Sequence, residues 1–162
     1  MALATIYALG LRLNEGLSLE TGHIDSERLM VWVRDGKGAR DRGVPLPRPL
    51  LTRLRRYWKT ERPASSTPYL FVAPEGKAPL HETALQKTFM AARAEARLAK
   101  VPTIHTLRHS YATHLLEAGI SLRTIQQVLG HRSMRTTEIY MHVTQPGLER
   151  LQETLDRLMV DL

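Results

Sequence analysis

Residues 105–131 read HTLRHSYATHLLEAGISLRTIQQVLGH, and they specify two helices with polar groups gathered at their ends. Thr106 is placed to N-cap a helix carrying Leu107, Tyr111, Leu115 and Ala118, which Gly119 ends. Ser121 caps the next, with Leu122, Ile125, Val128 and Leu129 apolar, and Gly130 ends that one. Ser133 can cap a third that runs toward Tyr140. His105 and Arg108 are three apart, one helical turn, near a helix N-terminus where backbone N–H groups favour anions. His131 stands between the second helix and the third, nine residues before Tyr140.

The flanking sequence supplies a small sheet and more helices. Residues 29–34 (LMVWVR) alternate Leu29, Val31 and Val33 against Met30, Trp32 and Arg34. Asp35-Gly36-Lys37-Gly38 is a turn signal, and residues 44–46 form a short edge strand because Pro45 has no N–H for a ladder. Residues 23–25 provide a third strand. Helices are expected over residues 2–11, 50–59, 82–98 and 148–162. The third of these places Leu85, Phe89, Ala92 and Ala96 on one face. The last carries leucines 148, 151, 155, 158 and 162 at spacings of three or four. Residues 63–68 and 74–79 are loops around a short strand at 69–72. The expected fold class is α+β, predominantly helical with a small antiparallel three-stranded sheet.

Composition narrows the partner. The 162 residues carry 23 Lys+Arg against 16 Asp+Glu, a net charge of +7, which favours a polyanion, nucleic acid before membrane. Residues 147–162 run the other way, with four acidic and two basic side chains, and suit a protein contact better than DNA. The absence of cysteine excludes disulfides, thiol catalysis and Cys-ligated zinc, and is compatible with a cytoplasmic address. No apolar run approaches the ~20 residues of a membrane span. Residues 2–11 lack the basic start and cleavage site of a signal peptide.

Cleaving a phosphodiester requires neutralising charge on the phosphoryl oxygens and protonating a poor leaving group. Metals held by clustered carboxylates are one solution. The acids here are scattered. The other solution is a cationic pocket of guanidinium forks, imidazole donors and a lysine acid, with a side chain such as Tyr as nucleophile. The order of motifs is similar to that of the tyrosine recombinase, or phage integrase, family. Residues 10–15 (GLRLNE) resemble its first arginine box, with Asn14 in place of the usual Ser. Gly36-Lys37-Gly38 with residues 42–46 (RGVPL) resembles its lysine hairpin. Residues 105–114 (HTLRHSYATH) resemble its second box, and residues 129–131 and 139–140 its third histidine and its nucleophile. The likeness runs from about Tyr7 to Val143, nearest in motif style to the Xer and integron integrases.

The resemblance implies site-specific DNA recombination through a 3′-phosphotyrosyl intermediate, with no cofactor, metal or ATP. Arg12 and Arg108 would clamp the scissile phosphate. His105 would assist proton removal from Tyr140 or bond a phosphate oxygen, His131 would donate to the phosphate, and Lys37 would protonate the leaving 5′-oxygen. Tyr140 would attack, losing a proton whose unperturbed pKa is about 10. Glu15 either braces an active-site cation or caps and pairs at the surface. His109 and His114 read as helix structure or DNA-backbone contacts; His105 and His109 have the spacing of a zinc pair but no convincing third ligand.

The resemblance further implies double-stranded DNA as partner, a tetramer of protomers on it, and a monomer in free solution. The chain would be a catalytic domain with a truncated start, lacking the family's N-terminal core-binding domain. The C-terminal helix, 147–162, would pack either on its own domain or on a neighbouring protomer. Two other readings compete: a non-catalytic DNA binder using residues 106–129 as a helix-turn-helix, and a truncated recombinase remnant.

Overall fold

The computed structural model describes residues 1–34, 41–98, 102–130 and 145–160, with side chains of the last helix described over 151–159. Seven helices are described: α1 (Ala2–Ala8), α2 (Leu13–Leu17), α3 (Arg48–Thr60), α4 (Glu82–Glu95), α5 (Ile104–Glu117), α6 (Leu122–Leu129) and α7 (Gln145–Val160). Three strands, β1 (Ile24–Asp25), β2 (Met30–Val33) and β3 (Arg42–Pro45), form an antiparallel sheet in the order β1-β2-β3. This is the expected α+β architecture.

Strand phase follows the alternation in the sequence. Val31 and Val33 are buried and Trp32 is exposed. Trp32 pairs with Gly43, and Pro45 closes the ladder opposite Met30 on the edge strand, where a missing N–H costs least. Arg42 shares its face with Val44, so a charged residue points into the core. One core joins helices and sheet: Leu9 and Leu11 just after α1, Val44 and Leu46, Leu50 and Leu54 of α3, Leu115 of α5, and Leu151 and Leu155 of α7.

Several expectations need adjustment. The helix expected over residues 2–11 ends at Ala8, and Gly10, with φ +58°, separates it from a further helix, α2. Helix α5 begins a turn earlier than Thr106. Thr103 is its N-cap, and the Thr106 hydroxyl accepts from Thr103 N–H at 3.0 Å, so His105 lies inside the first turn. Residues 69–72 make two isolated bridges, Glu20 with Tyr69 and Val72 with Pro79, and no strand. The Arg62 guanidinium, lying over the Trp58 ring, takes the carbonyls of Thr67, Tyr69 and Leu70 that a ladder would need. On α4 only Leu85 is buried, while Ala92 and Ala96 are exposed, because the second half of the helix runs past the core. Helix α7 starts at Gln145 and packs against α3 and β3 of the same chain. Its Gln152 donates to Leu46 O at 2.8 Å, and Asp156 accepts from Arg48 N–H at 2.9 Å. The expected turn at residues 35–38 and the expected helix from Ser133 to Tyr140 lie outside the described residues. Among the described residues, no helix is long and apolar enough to cross a membrane.

Gly10 sets the distance between α1 and α5. Its φ is +58°, and a Cβ there would stand 2.6 Å from Tyr111 Cδ1 and 2.9 Å from Leu129 Cδ2. Gly119 also has positive φ, +82°, but nothing lies within 4 Å of its missing Cβ. Gly10→Ala therefore combines left-handed strain with overpacking and should cost about 2–4 kcal/mol. Gly119→Ala meets the strain alone and should cost about 1–2 kcal/mol. Urea unfolding of both variants checks the ordering; equal losses would contradict it.

Candidate active site

Arg12 ends the turn after α1 and is the N-cap of α2. Three residues on, at N3, Glu15 accepts from the Arg12 backbone N–H at 2.7 Å, which turns its carboxylate back toward the helix start. The carboxylate is buried there, its side chain 6% exposed. Arg12 Nη1 donates to Oε1 at 2.7 Å. Arg42, arriving from β3, donates from Nη1 to Oε1 at 2.9 Å and from Nη2 to Oε2 at 2.8 Å, a bidentate fork. Four N–H groups thus fill the acceptor capacity of one carboxylate. Arg108, from α5, brings Nη1 to 3.8 Å of Oε2, an ion pair without a hydrogen bond.

The other ends of these three guanidiniums meet the C-terminus of α6. Arg42 Nε donates to Val128 O at 2.8 Å, Arg108 Nη2 to Leu129 O, and Arg12 Nη2 to Gly130 O at 3.3 Å. Consecutive carbonyls at a helix end have no intrahelical N–H partner and carry the negative pole of the helix. Here each is taken by a different arginine. Arg108 Nη1 also donates to Gly10 O at 2.7 Å. Arg42 and Arg108 have side chains 4% exposed, and Arg12 remains 38% exposed.

The electrostatics follow from that packing. Burial pushes the Glu15 carboxyl up, but the Arg42 fork, the Arg12 backbone N–H, the Arg42 charge and the Arg12 side chain outweigh it and hold it at about 2. Burial draws Arg108 down to about 10; the Arg12 charge adds to this and Glu15 opposes it. Arg108 stays a cation at neutral pH. Three guanidiniums thus gather on one carboxylate. Behind Arg108, Tyr111 Oη finds no partner among the described residues, and burial pushes its phenol up.

Of the residues singled out from sequence, Arg12 and Arg108 are brought together and Glu15 is the buried brace between them. His105 is on α5 one turn before Arg108, exposed, with its ring edge-to-face on His109 at 5.0 Å. His114 lies inward of that surface, its Nδ1 2.7 Å from Tyr7 Oη. Lys37, His131 and Tyr140 lie outside the described residues. Among the described residues, no three His, Asp or Glu side chains gather as a metal site. Arg42 was not among the site residues read from sequence. The signal for it was an arginine in phase with Val44 and Leu46 on the inward face of a strand.

Comparison with known proteins shows the family and the fold. The Phage integrase family model matches residues 1–146, and the chain belongs to that family. The tyrosine recombinase XerA of Pyrococcus furiosus is 42% identical over 154 residues, covering 94% of this chain and 51% of that protein. A crystal structure of XerA recombinase superposes with a TM-score of 0.73 at 30% identity, covering 94% of this chain and 56% of that one. The XerH site-specific recombinase bound to its difH substrate, in a pre-cleavage complex, gives 0.70 at 27% identity over 94% and 43%. The chain spans about half the length of the curated relatives it matches.

The Glu15 carboxyl ties stability to pH. It titrates near 4.3 in an unfolded chain and near 2 here, so its contribution is complete above the unfolded value and is lost as pH falls toward 2. That linkage amounts to about 3 kcal/mol. Glu15→Gln should lower stability by roughly this amount at pH 7 and by little at pH 2. Chemical unfolding at pH 7, 4 and 2.5 reads the difference; a loss that does not shrink with acid would remove the carboxylate from this role.

Proposed function

We propose that this chain carries the strand-cleaving site of a tyrosine recombinase acting on double-stranded DNA. The observation that carries the reading is the assembly of Arg12, Arg42 and Arg108 around the single carboxylate of Glu15 and the end of α6. A scissile phosphate is the kind of group such a cluster of cations suits, because guanidinium forks match its oxygens and strengthen as charge develops on them. Arg12 and Arg108 hold the phosphate, and His105 and His131 donate to it or move the tyrosine proton. The Tyr140 oxygen attacks phosphorus, the bond to the 5′-oxygen breaks, and Lys37 supplies the proton to that oxygen. The phosphotyrosyl ester conserves the bond energy, so a 5′-hydroxyl from another strand reverses the step without ATP. The charge on the phosphate is met by side-chain cations in this scheme.

Family membership, and the DNA-bound state of the XerH neighbour, support the same reading. They favour it over a helix-turn-helix regulator, as does the end of α6, whose carbonyls hold three arginines. Assembly of four protomers on DNA, from a monomer in free solution, and a cytoplasmic address belong to the same proposal. So does the domain assignment, with residues 1–162 forming a catalytic domain; docking of residues 147–162 on a neighbouring protomer would require that helix to leave its packing on α3 and β3.

A nicked suicide duplex tests the chemistry. The native protein should form an SDS-resistant adduct that Tyr140→Phe abolishes; DNA binding with no adduct, for the chain supplied with a core-binding domain, would favour the regulator. Lys37→Ala should slow cleavage by about 10²–10⁴-fold, and a 5′-bridging sulfur, a better leaving group, should restore it. Without recovery, Lys37 is not the acid.

A further inference from the structure

Arg42 is a buried cation that the cleavage scheme above does not use. Its side chain is 4% exposed, so water does not substitute for its partners. All three of its nitrogens are engaged: Nη1 and Nη2 on the two oxygens of Glu15, and Nε on Val128 O. Gly130 closes over its stem, with a Cβ there 3.0 Å from Arg42 Cδ and 3.2 Å from Nε. The residue thus joins three parts of the chain: β3, the N-terminal turn of α2, and the end of α6.

A buried ion pair alone is weak grounds for a stability role, since desolvation offsets much of the attraction. What singles out Arg42 is which acceptors it occupies. Glu15 has about four acceptor positions; Arg12 fills two and Arg42 the other two. Arg108 is then left at ion-pair distance, 3.8 Å, with its hydrogen bonds directed to Gly10 O and Leu129 O. If Arg42 were withdrawn, two buried acceptor positions on a carboxylate would open beside two arginines. A guanidinium is the best available donor for such a site, and Arg12 or Arg108 would turn into it.

We propose that Arg42 is a positioning residue, which saturates Glu15 so that the carboxylate orients Arg12 and Arg108 without drawing their charge away from the phosphate. The inference rests on the recombinase reading above. It acts through Glu15 and the end of α6 and involves no contact between Arg42 and DNA. Lysine cannot replace it, because a single ammonium cannot reach two carboxylate oxygens and a carbonyl with the same planar fork.

The test uses Arg42→Lys in the full chain, which keeps the charge and removes the fork. Circular dichroism and thermal melting should show a folded protein. Carbon NMR of the Glu15 carboxyl should show its titration moving up from about 2 by at least one pH unit. The Arg12 and Arg108 Nε–H resonances should shift as those side chains turn. On the nicked duplex, the adduct rate should fall about tenfold to a hundredfold while DNA affinity stays within twofold. Unmoved arginine resonances and an unmoved Glu15 titration would overturn the proposal, as would an unchanged adduct rate. A rate loss matched by an equal loss of affinity would make Arg42 a DNA contact and overturn it too. If the native chain supplied with a core-binding domain forms no adduct, the recombinase reading fails. The NMR arms then still decide whether Arg42 positions the other two arginines.

Discussion

Everything at this site depends on a carboxylate placed where water cannot reach it. A buried anion must be met by donors, and Glu15 is met by four N–H groups from Arg12 and Arg42. The α2 capping geometry delivers it, since Glu15 at N3 reaches back to the Arg12 N–H while its second function is to gather cations. One side chain therefore ends a loop, starts a helix and organises residues from positions 12, 42 and 108.

The second constraint is the end of α6. A helix C-terminus leaves carbonyls that ask for donors, and here Val128, Leu129 and Gly130 are answered by Arg42, Arg108 and Arg12 in turn. The guanidiniums are held between a charged acceptor on one side and a row of neutral ones on the other. Such rows fix direction as well as distance. They hold the forks in place within the folded chain itself. Close contact of Gly10 with Tyr111 and Leu129 locks the same three segments from behind.

Much of this was legible in the sequence, and the rest has identifiable reasons. The sheet was readable because alternation at residues 29–34 and the proline at 45 have direct consequences for burial and pairing. The ends of α5 and α6 were readable from Gly119 and Gly130. The start of α5 was misplaced by one turn because Thr103 and Thr106 are both capping residues, and only the backbone decides which is N-cap and which N3. The strand at residues 69–72 failed because Arg62, a local sequence neighbour, competes for its carbonyls. Arg12, Arg108 and Glu15 were found through motif order. Arg42 entered the sequence reading only as part of residues 42–46 beside the lysine turn, and its burial is a tertiary fact with only strand parity to announce it.

Helix α3 begins at Arg48 after two prolines and has no side-chain cap of its own. Its first free N–H is satisfied by Asp156, more than a hundred residues later on α7. The last helix of the chain is thus a structural component of a helix laid down in its first third. Detaching α7 uncovers Leu151, Leu155 and Met159 and also unravels the entry to α3, an uncapping worth about 1 kcal/mol. Any process that moves the tail is coupled to fraying at a distant turn, and amide exchange at Arg48 would register the tail's departure.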